Sequence, residues 1–144
     1  MSLYLDTSCL LKLLFPEPES GRVAEIIASE EHVVVSSLAR LETMIQIHSR
    51  VVGGHIARST AKALLTLMDR LLGEAPYEIV RVPGEIVEIA ERQTKPLPKQ
   101  GYCPTLDRLH LAVMQALDFT RLLTNDDAQA RAARALGFSV SVPR

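Results

Sequence analysis

Leu3-Tyr4-Leu5-Asp6-Thr7-Ser8 opens the chain with a short apolar run that stops at an acid and two hydroxyl residues. Leu10, Leu11, Leu13 and Leu14 then recur at helical spacing until Phe15-Pro16 ends them, so the stretch reads as strand, turn and helix. Outward from it the alternation continues. Ser20 or Gly21 opens a second helical segment, and His32-Val33-Val34-Val35 is a β-branched run closed by Ser36-Ser37. A helix from Ser37 to about Val52 is broken by Gly53-Gly54, and another runs from about Ile56 to Leu72. Tyr77 to Val82 is a strand candidate, Pro83 to about Thr94 a helix, and Thr105 to about Leu117 a further helix. Leu122-Leu123-Thr124 is a short strand, Asp127 to Leu136 a helix closed by Gly137, and Phe138 to Val142 a last strand. Strands separated by helices predict a parallel sheet covered on both faces, because parallel neighbours need crossovers and helices supply them.

The 144 residues match one domain, expected to span 1–144, with 47% hydrophobic and 23% charged residues, the balance of an ordinary globular chain. No stretch approaches the roughly 20 apolar residues of a membrane helix, and no basic segment leads a long apolar run at the start, so a cytoplasmic protein with no membrane partner is expected. Cys9 and Cys103 form no Cys-x-x-Cys pair, and His32, His48, His55 and His110 are scattered without zinc spacing. Trp is absent and Phe and Tyr number three each, which disfavours an aromatic platform for single-stranded bases. With 16 Lys+Arg against 17 Asp+Glu the net charge is −1, so any polyanion must be held by a local patch or a bound cation.

Ligands of open α/β sheets bind beyond the carboxyl ends of the strands, and two acids fall there: Asp6 after the first strand and Asp126 after Leu122-Leu123-Thr124-Asn125. Each also suits a helix N-cap. Glu42 borders the apolar stripe Leu38, Leu41, Ile45, where it requires either a basic partner such as Arg40 or a cation at the sheet edge. Asp107 lies in the first turn of a helix with the stripe Leu106, Leu109, Val113, Ala116 and Leu117, where the helix dipole alone would favour it. Four carboxylates gathered at one edge would repel one another, and a hard divalent cation with oxygen ligands resolves that conflict.

The motifs Leu3-Tyr4-Leu5-Asp6-Thr7-Ser8, Ser37-Leu38-Ala39-Arg40-Leu41-Glu42, Leu106-Asp107-Arg108-Leu109-His110-Leu111-Ala112 and Leu122-Leu123-Thr124-Asn125-Asp126 resemble, in that order, those of the PIN domain superfamily. Within it the chain is similar to VapC-type toxins of toxin–antitoxin pairs. The resemblance implies a three-layer α/β/α sandwich around a central parallel sheet, and an endoribonuclease dependent on Mg²⁺ or Mn²⁺. It assigns Asp6, Glu42, Asp107 and Asp126 to the four acidic, metal-holding positions, with Thr7, Ser8 and Thr124 as supporting hydroxyls and Asp127 as a neighbour able to share the role of Asp126. It further implies an RNA substrate, an antitoxin partner and a homodimer. A catalytically silent PIN-like module that binds RNA or protein is the alternative. The loop from Lys95 through Pro104 departs from the Gly-Arg-Pro stretch of many such toxins, so substrate choice does not carry over. His110 is read as structural, since it lies between Leu109 and Leu111.

Between Arg92 and Arg108 the basic residues Arg92, Lys95, Lys99 and Arg108 meet a single acid, Asp107. Lys95, Lys99, Tyr102 and Arg108 are therefore the candidate substrate-binding residues, Tyr102 by stacking on a base. Leu64, Leu65, Leu67, Met68, Leu71 and Leu72 carry more apolar surface than one helix face needs, and suit either the core or a docking patch.

Overall fold

The computed structural model describes residues 1–96 and 101–144. Five strands, β1 (Leu3–Leu5), β2 (Val33–Ser36), β3 (Tyr77–Val80), β4 (Arg121–Leu123) and β5 (Ser139–Ser141), form one sheet in the order β3-β2-β1-β4-β5, with every adjacent pair parallel. The helices are α1 (Thr7–Leu14), α2 (Ser20–Ala28), α3 (Ser37–Val52), α4 (Arg58–Leu72), α5 (Ile86–Thr94), α6 (Thr105–Ala116) and α7 (Asp127–Ala135). Strand side chains alternate between faces. Leu3 and Leu5 pack with Leu10, Val23, Ile47 and Met68 under α1 to α4, whereas Tyr4 packs with Leu111, Met114 and Ala132 under α6 and α7. The result is the three-layer α/β/α sandwich.

Helix ends follow local chemistry. Ser36 caps α3, its Oγ accepting from Ala39 N at 3.1 Å. Gly137, at φ 88°, closes α7: its N–H donates to Arg134 O at 3.0 Å and Phe138 N–H donates to Ala133 O at 3.0 Å, the six-to-one closure a left-handed residue permits. Gly54, at φ 76°, does the same after α3.

Two expected stripes are corrected. The inward face of α3 is Ala39, Thr43 and Ile47, while Leu41 and Ile45 are 53% and 55% exposed; the sheet and α1 take the side of the helix on which Glu42 adjoins Thr43. Helix α6 buries Arg108 and every residue from His110 to Met114, because α5 covers one side of it and the sheet the other; Leu106 is exposed. On α4, Met68 and Leu72 are core, Leu64, Leu65 and Leu71 pack against it, and Leu67 faces outward. Among the described residues, no helix is long and apolar enough to cross a membrane.

Candidate active site at the sheet switch point

From β1 the chain passes through α1 and α2 to β2 on one side of the sheet, and after β3 helices α5 and α6 return it to β4 on the other side of β1. Connections diverging from neighbouring strands leave a crevice at their carboxyl ends. Asp6 and the Thr124–Asp126 turn stand at those two ends.

Asp6 is only 3% exposed and caps α1. Its Oδ2 accepts from Ser8 N at 3.0 Å, Ser8 Oγ at 2.7 Å and Thr124 Oγ1 at 3.3 Å. Ser8 Oγ in turn accepts from Asn125 N at 3.0 Å, and Thr124 Oγ1 accepts from Asp126 N at 3.1 Å, so the two hydroxyls tie the ends of β1 and β4 together through one carboxylate oxygen. Asp6 Oδ1 accepts from Gln129 Nε2 at 3.1 Å and lies 3.7 Å from His110 Nε2.

Glu42 finds a basic partner other than the one expected. Arg40 pairs with Asp69 on α4 at 2.8 Å, and Glu42 Oε1 accepts from Thr7 Oγ1 at 3.0 Å and from His110 Nε2 at 2.5 Å. Burial pulls the His110 pKa down, but the hydrogen bond to Glu42 and the charges of Asp6, Glu42 and Asp107 outweigh it and hold the pKa above its ordinary value. Asp107 is half-buried, and burial followed by the charges of Asp6 and Asp126 pushes its carboxyl up to about 6, with His110 opposing. Asp126 caps α7, its Oδ1 accepting from Gln129 N at 2.8 Å. Its neighbour Asp127 turns outward to pair with Arg144 at 2.9 Å. Asp6, Asp126 and Glu42 therefore all act on the Asp107 carboxyl, whereas Asp127 is turned away toward Arg144.

Whether the group suits a divalent cation follows from its donors. Among the described residues, no three His, Cys, Asp or Glu side chains close on one point as an all-protein cage would. Mg²⁺ needs no cage, since it keeps several waters and takes one or two carboxylates directly. Hard oxygen donors, an Asp107 carboxyl raised by burial and by the neighbouring acids, and a buried Gln129 Oε1 with no hydrogen-bond partner fit such an ion.

The basic segment is less uniform than its sequence. Lys95 and Tyr102 are exposed and line a groove of about 1100 Å³ between α5 and the start of α6. Arg108 is 8% exposed, and its guanidinium donates inward to Gln93 Oε1 and the Gly101 carbonyl, so it holds this loop to α6 and offers no free charge to a phosphate. Lys99 lies outside the described residues.

Three contributors escaped the sequence reading: Tyr4, whose hydroxyl reaches Ser36 and His110; His110 as the partner of Glu42; and Gln129 as a donor to Asp6. For Gln129 a signal existed. Asp126 and Gln129 have N-cap and N3 spacing, which points to a capping box, yet the Gln side chain turns to Asp6 instead.

Fold and site together define a parallel α/β protein with an acid-lined crevice at the switch point between β1 and β4. Residues 3–135 match the PIN domain family, and the chain belongs to it. It is 32% identical over 148 residues to Ribonuclease VapC46 of Mycobacterium tuberculosis, covering 99% of this chain and 98% of that protein. Among solved structures, VapBC2 from Rickettsia felis bound to a promoter DNA fragment superposes with a TM-score of 0.72 at 15% identity, covering 99% of this chain and 98% of that one. Mycobacterium tuberculosis VapC20, described as a Sarcin-Ricin loop cleaving toxin, superposes with a TM-score of 0.68 at 19% identity, covering 94% and 95%. At these identities the two structures speak for the fold.

Proposed function

We propose that the protein is a metal-dependent endoribonuclease and the toxin of a toxin–antitoxin pair. The observation that carries this reading is the concentration of Asp6, Glu42, Asp107 and Asp126 at the β1/β4 crevice, where burial and then the neighbouring acids raise the Asp107 carboxyl to about 6. The likeness to a protein named a ribonuclease, along nearly its whole length, supports the substrate class.

In this reading Asp6, Asp107 and Asp126 hold Mg²⁺ or Mn²⁺ directly or through water. Such an ion supplies charge neutralisation at the phosphodiester and lowers the pKa of water. The chain's own groups do the positioning. Ser8 and Thr124 fix one oxygen of Asp6, while Thr7 and His110 fix Glu42 at the opposite wall. Lys95 and Tyr102, with Lys99, bring RNA toward α6. A silent binding module is disfavoured, because half-burying Asp107 among other acids costs stability that a bound cation would return.

An antitoxin and a second copy of this chain are the proposed protein partners. Structural relatives described as VapBC complexes support the first, and Leu41, Ile45 and Val52, exposed along one side of α3, supply apolar surface for association. The free, buried thiols of Cys9 and Cys103 agree with a cytoplasmic setting.

The test is incubation of RNA with the protein and Mg²⁺ or Mn²⁺, with chelator and Asp6→Asn as controls. Cleavage is expected only with metal and wild-type protein; cleavage that persists in Asp6→Asn rejects this site as its source.

A further inference from the structure

Gln129 is fully buried on α7 and touches three of the four acid-bearing segments. Its backbone N–H donates to Asp126 Oδ1 at 2.8 Å, and its Nε2 donates to Asp6 Oδ1 at 3.1 Å and to the Asp107 carbonyl at 3.4 Å. Its Oε1 has no partner, and among the described residues it is the one buried side-chain polar atom left so. A buried amide carbonyl without a donor destabilises the fold. A capping box would have satisfied it with the Asp126 backbone N–H, but Thr124 Oγ1 takes that donor at 3.1 Å. Turning the amide over would set Oε1 against the Asp6 carboxylate, two acceptors facing each other, so the bond to Asp6 fixes its orientation.

The two oxygens of Asp6 are not equivalent. Oδ2 accepts three hydrogen bonds, whereas Oδ1 accepts only that from Gln129, with His110 Nε2 at 3.7 Å. Oδ1 is therefore the oxygen with capacity left for a cation, and Gln129 sets its direction. A hydrated hard cation presents water O–H donors, the kind of group that Oε1 lacks. We propose that Gln129 is a positioning residue for the divalent cation, an inference that rests on the nuclease reading for the ion. Its amide N–H holds Asp6 Oδ1 toward the ion, and its carbonyl accepts from a water of the ion's hydration shell. Outer partners of this kind govern metal affinity by about 10–100-fold.

The experiment measures Mn²⁺ binding by calorimetry, without RNA, on wild type, Gln129→Met and Asp6→Asn. Met keeps the bulk of the side chain and removes both donor and acceptor. Gln129→Met is expected to bind Mn²⁺ about tenfold more weakly, and in cleavage assays to need more Mn²⁺ for half-maximal rate. A Gln129 that is merely structural would lower the melting temperature and leave Mn²⁺ affinity unchanged, and that result overturns the proposal. A second measurement needs no variant: in ¹H–¹⁵N spectra of wild type, the Gln129 side-chain amide pair is expected to shift along the Mg²⁺ binding isotherm. A pair that stays fixed while the ion binds also overturns it. Wild-type protein that binds Mn²⁺ and cleaves no RNA rejects the nuclease reading alone, since the affinity comparison still decides the role of Gln129. Wild-type protein that binds neither ion overturns both.

Discussion

His110 donates through Nε2 to Glu42 Oε1 at 2.5 Å, joining α6 to α3 across the mouth of the crevice. A carboxylate only accepts, so Nε2 carries a proton. The Nδ1 atom lies 2.7 Å from the Tyr4 hydroxyl, which also reaches Ser36 Oγ at 2.9 Å. Against the pull of burial, the hydrogen bond to Glu42 and the charges of Asp6, Glu42 and Asp107 raise the ring's pKa above its ordinary value, so the fold favours its imidazolium form.

This relationship predicts how stability depends on pH. A His whose folded-state pKa is raised contributes stability that is complete below its ordinary value of 6.5 and lost as pH rises through the folded-state value. In chelator, His110→Gln is expected to cost about 3 kcal/mol near pH 5.5, and the gap to wild type should narrow above neutrality. Urea unfolding from pH 5.5 to 9 checks it; a gap that stays constant would show a neutral ring.

Asp107 predicts the same direction with pH, since its folded-state pKa is also raised, but the opposite effect of substitution. Its carboxyl is pushed from 3.8 to about 6, so ionisation burdens the fold little below pH 3.8 and fully above pH 6. Without metal at pH 7.5, Asp107→Asn should therefore stabilise the protein, by about 1 kcal/mol once solvent screening is allowed for, or about 3 °C in melting temperature. The same variant should lose both Mn²⁺-induced stabilisation and RNA cleavage. Wild-type cleavage should fall as pH drops through about 6. Melting with and without Mn²⁺, beside a pH–rate profile, tests all three.

Lys95 and Arg108 should separate cleanly. Lys95→Ala/Lys99→Ala is expected to lower the salt slope of RNA binding by about 1.4, or about 0.7 for each single-strand phosphate that no longer has a lysine to neutralise it. Arg108→Met should leave the slope alone and destabilise the fold by about 2 kcal/mol, because Gln93 and the Gly101 carbonyl lose their partner. Binding isotherms between 50 and about 300 mM salt read the first, and denaturant melts the second.

Leu41 and Ile45 contribute little to the monomer from exposed positions on α3. Leu41→Asp/Ile45→Asp should change unfolding stability by less than about 0.5 kcal/mol per site while abolishing self-association. Sedimentation at micromolar concentration checks this, and a wild type that is strictly monomeric there would remove the homodimer.

The element boundaries were legible because capping and periodicity are local. Ser36, Gly54 and Gly137 end or begin helices where the chain suggests, to within a few residues. The faces of α3 and α6 were not legible. Leu41, Ile45 and Leu106 have the hydrophobicity of core residues, and only the position of neighbouring layers decides which side of a helix is covered. Arg108 misled for the same reason: a guanidinium in a basic run reads as a free charge until the fold shows that it is enclosed.

By itself the sequence determined the order of strands and helices and the placement of Asp6 and Asp126 after β1 and β4, since both depend on residues a few positions apart. Only the tertiary structure decided who partners whom. Glu42 meets His110 across 68 positions and Asp6 meets Gln129 across 123, pairings set by where α3, α6 and α7 pack against one sheet edge. A side chain's charge is local information. Its burial and the field it meets are set by the whole fold, and together they raise the pKa of one Asp to about 6 and that of one His above its ordinary value.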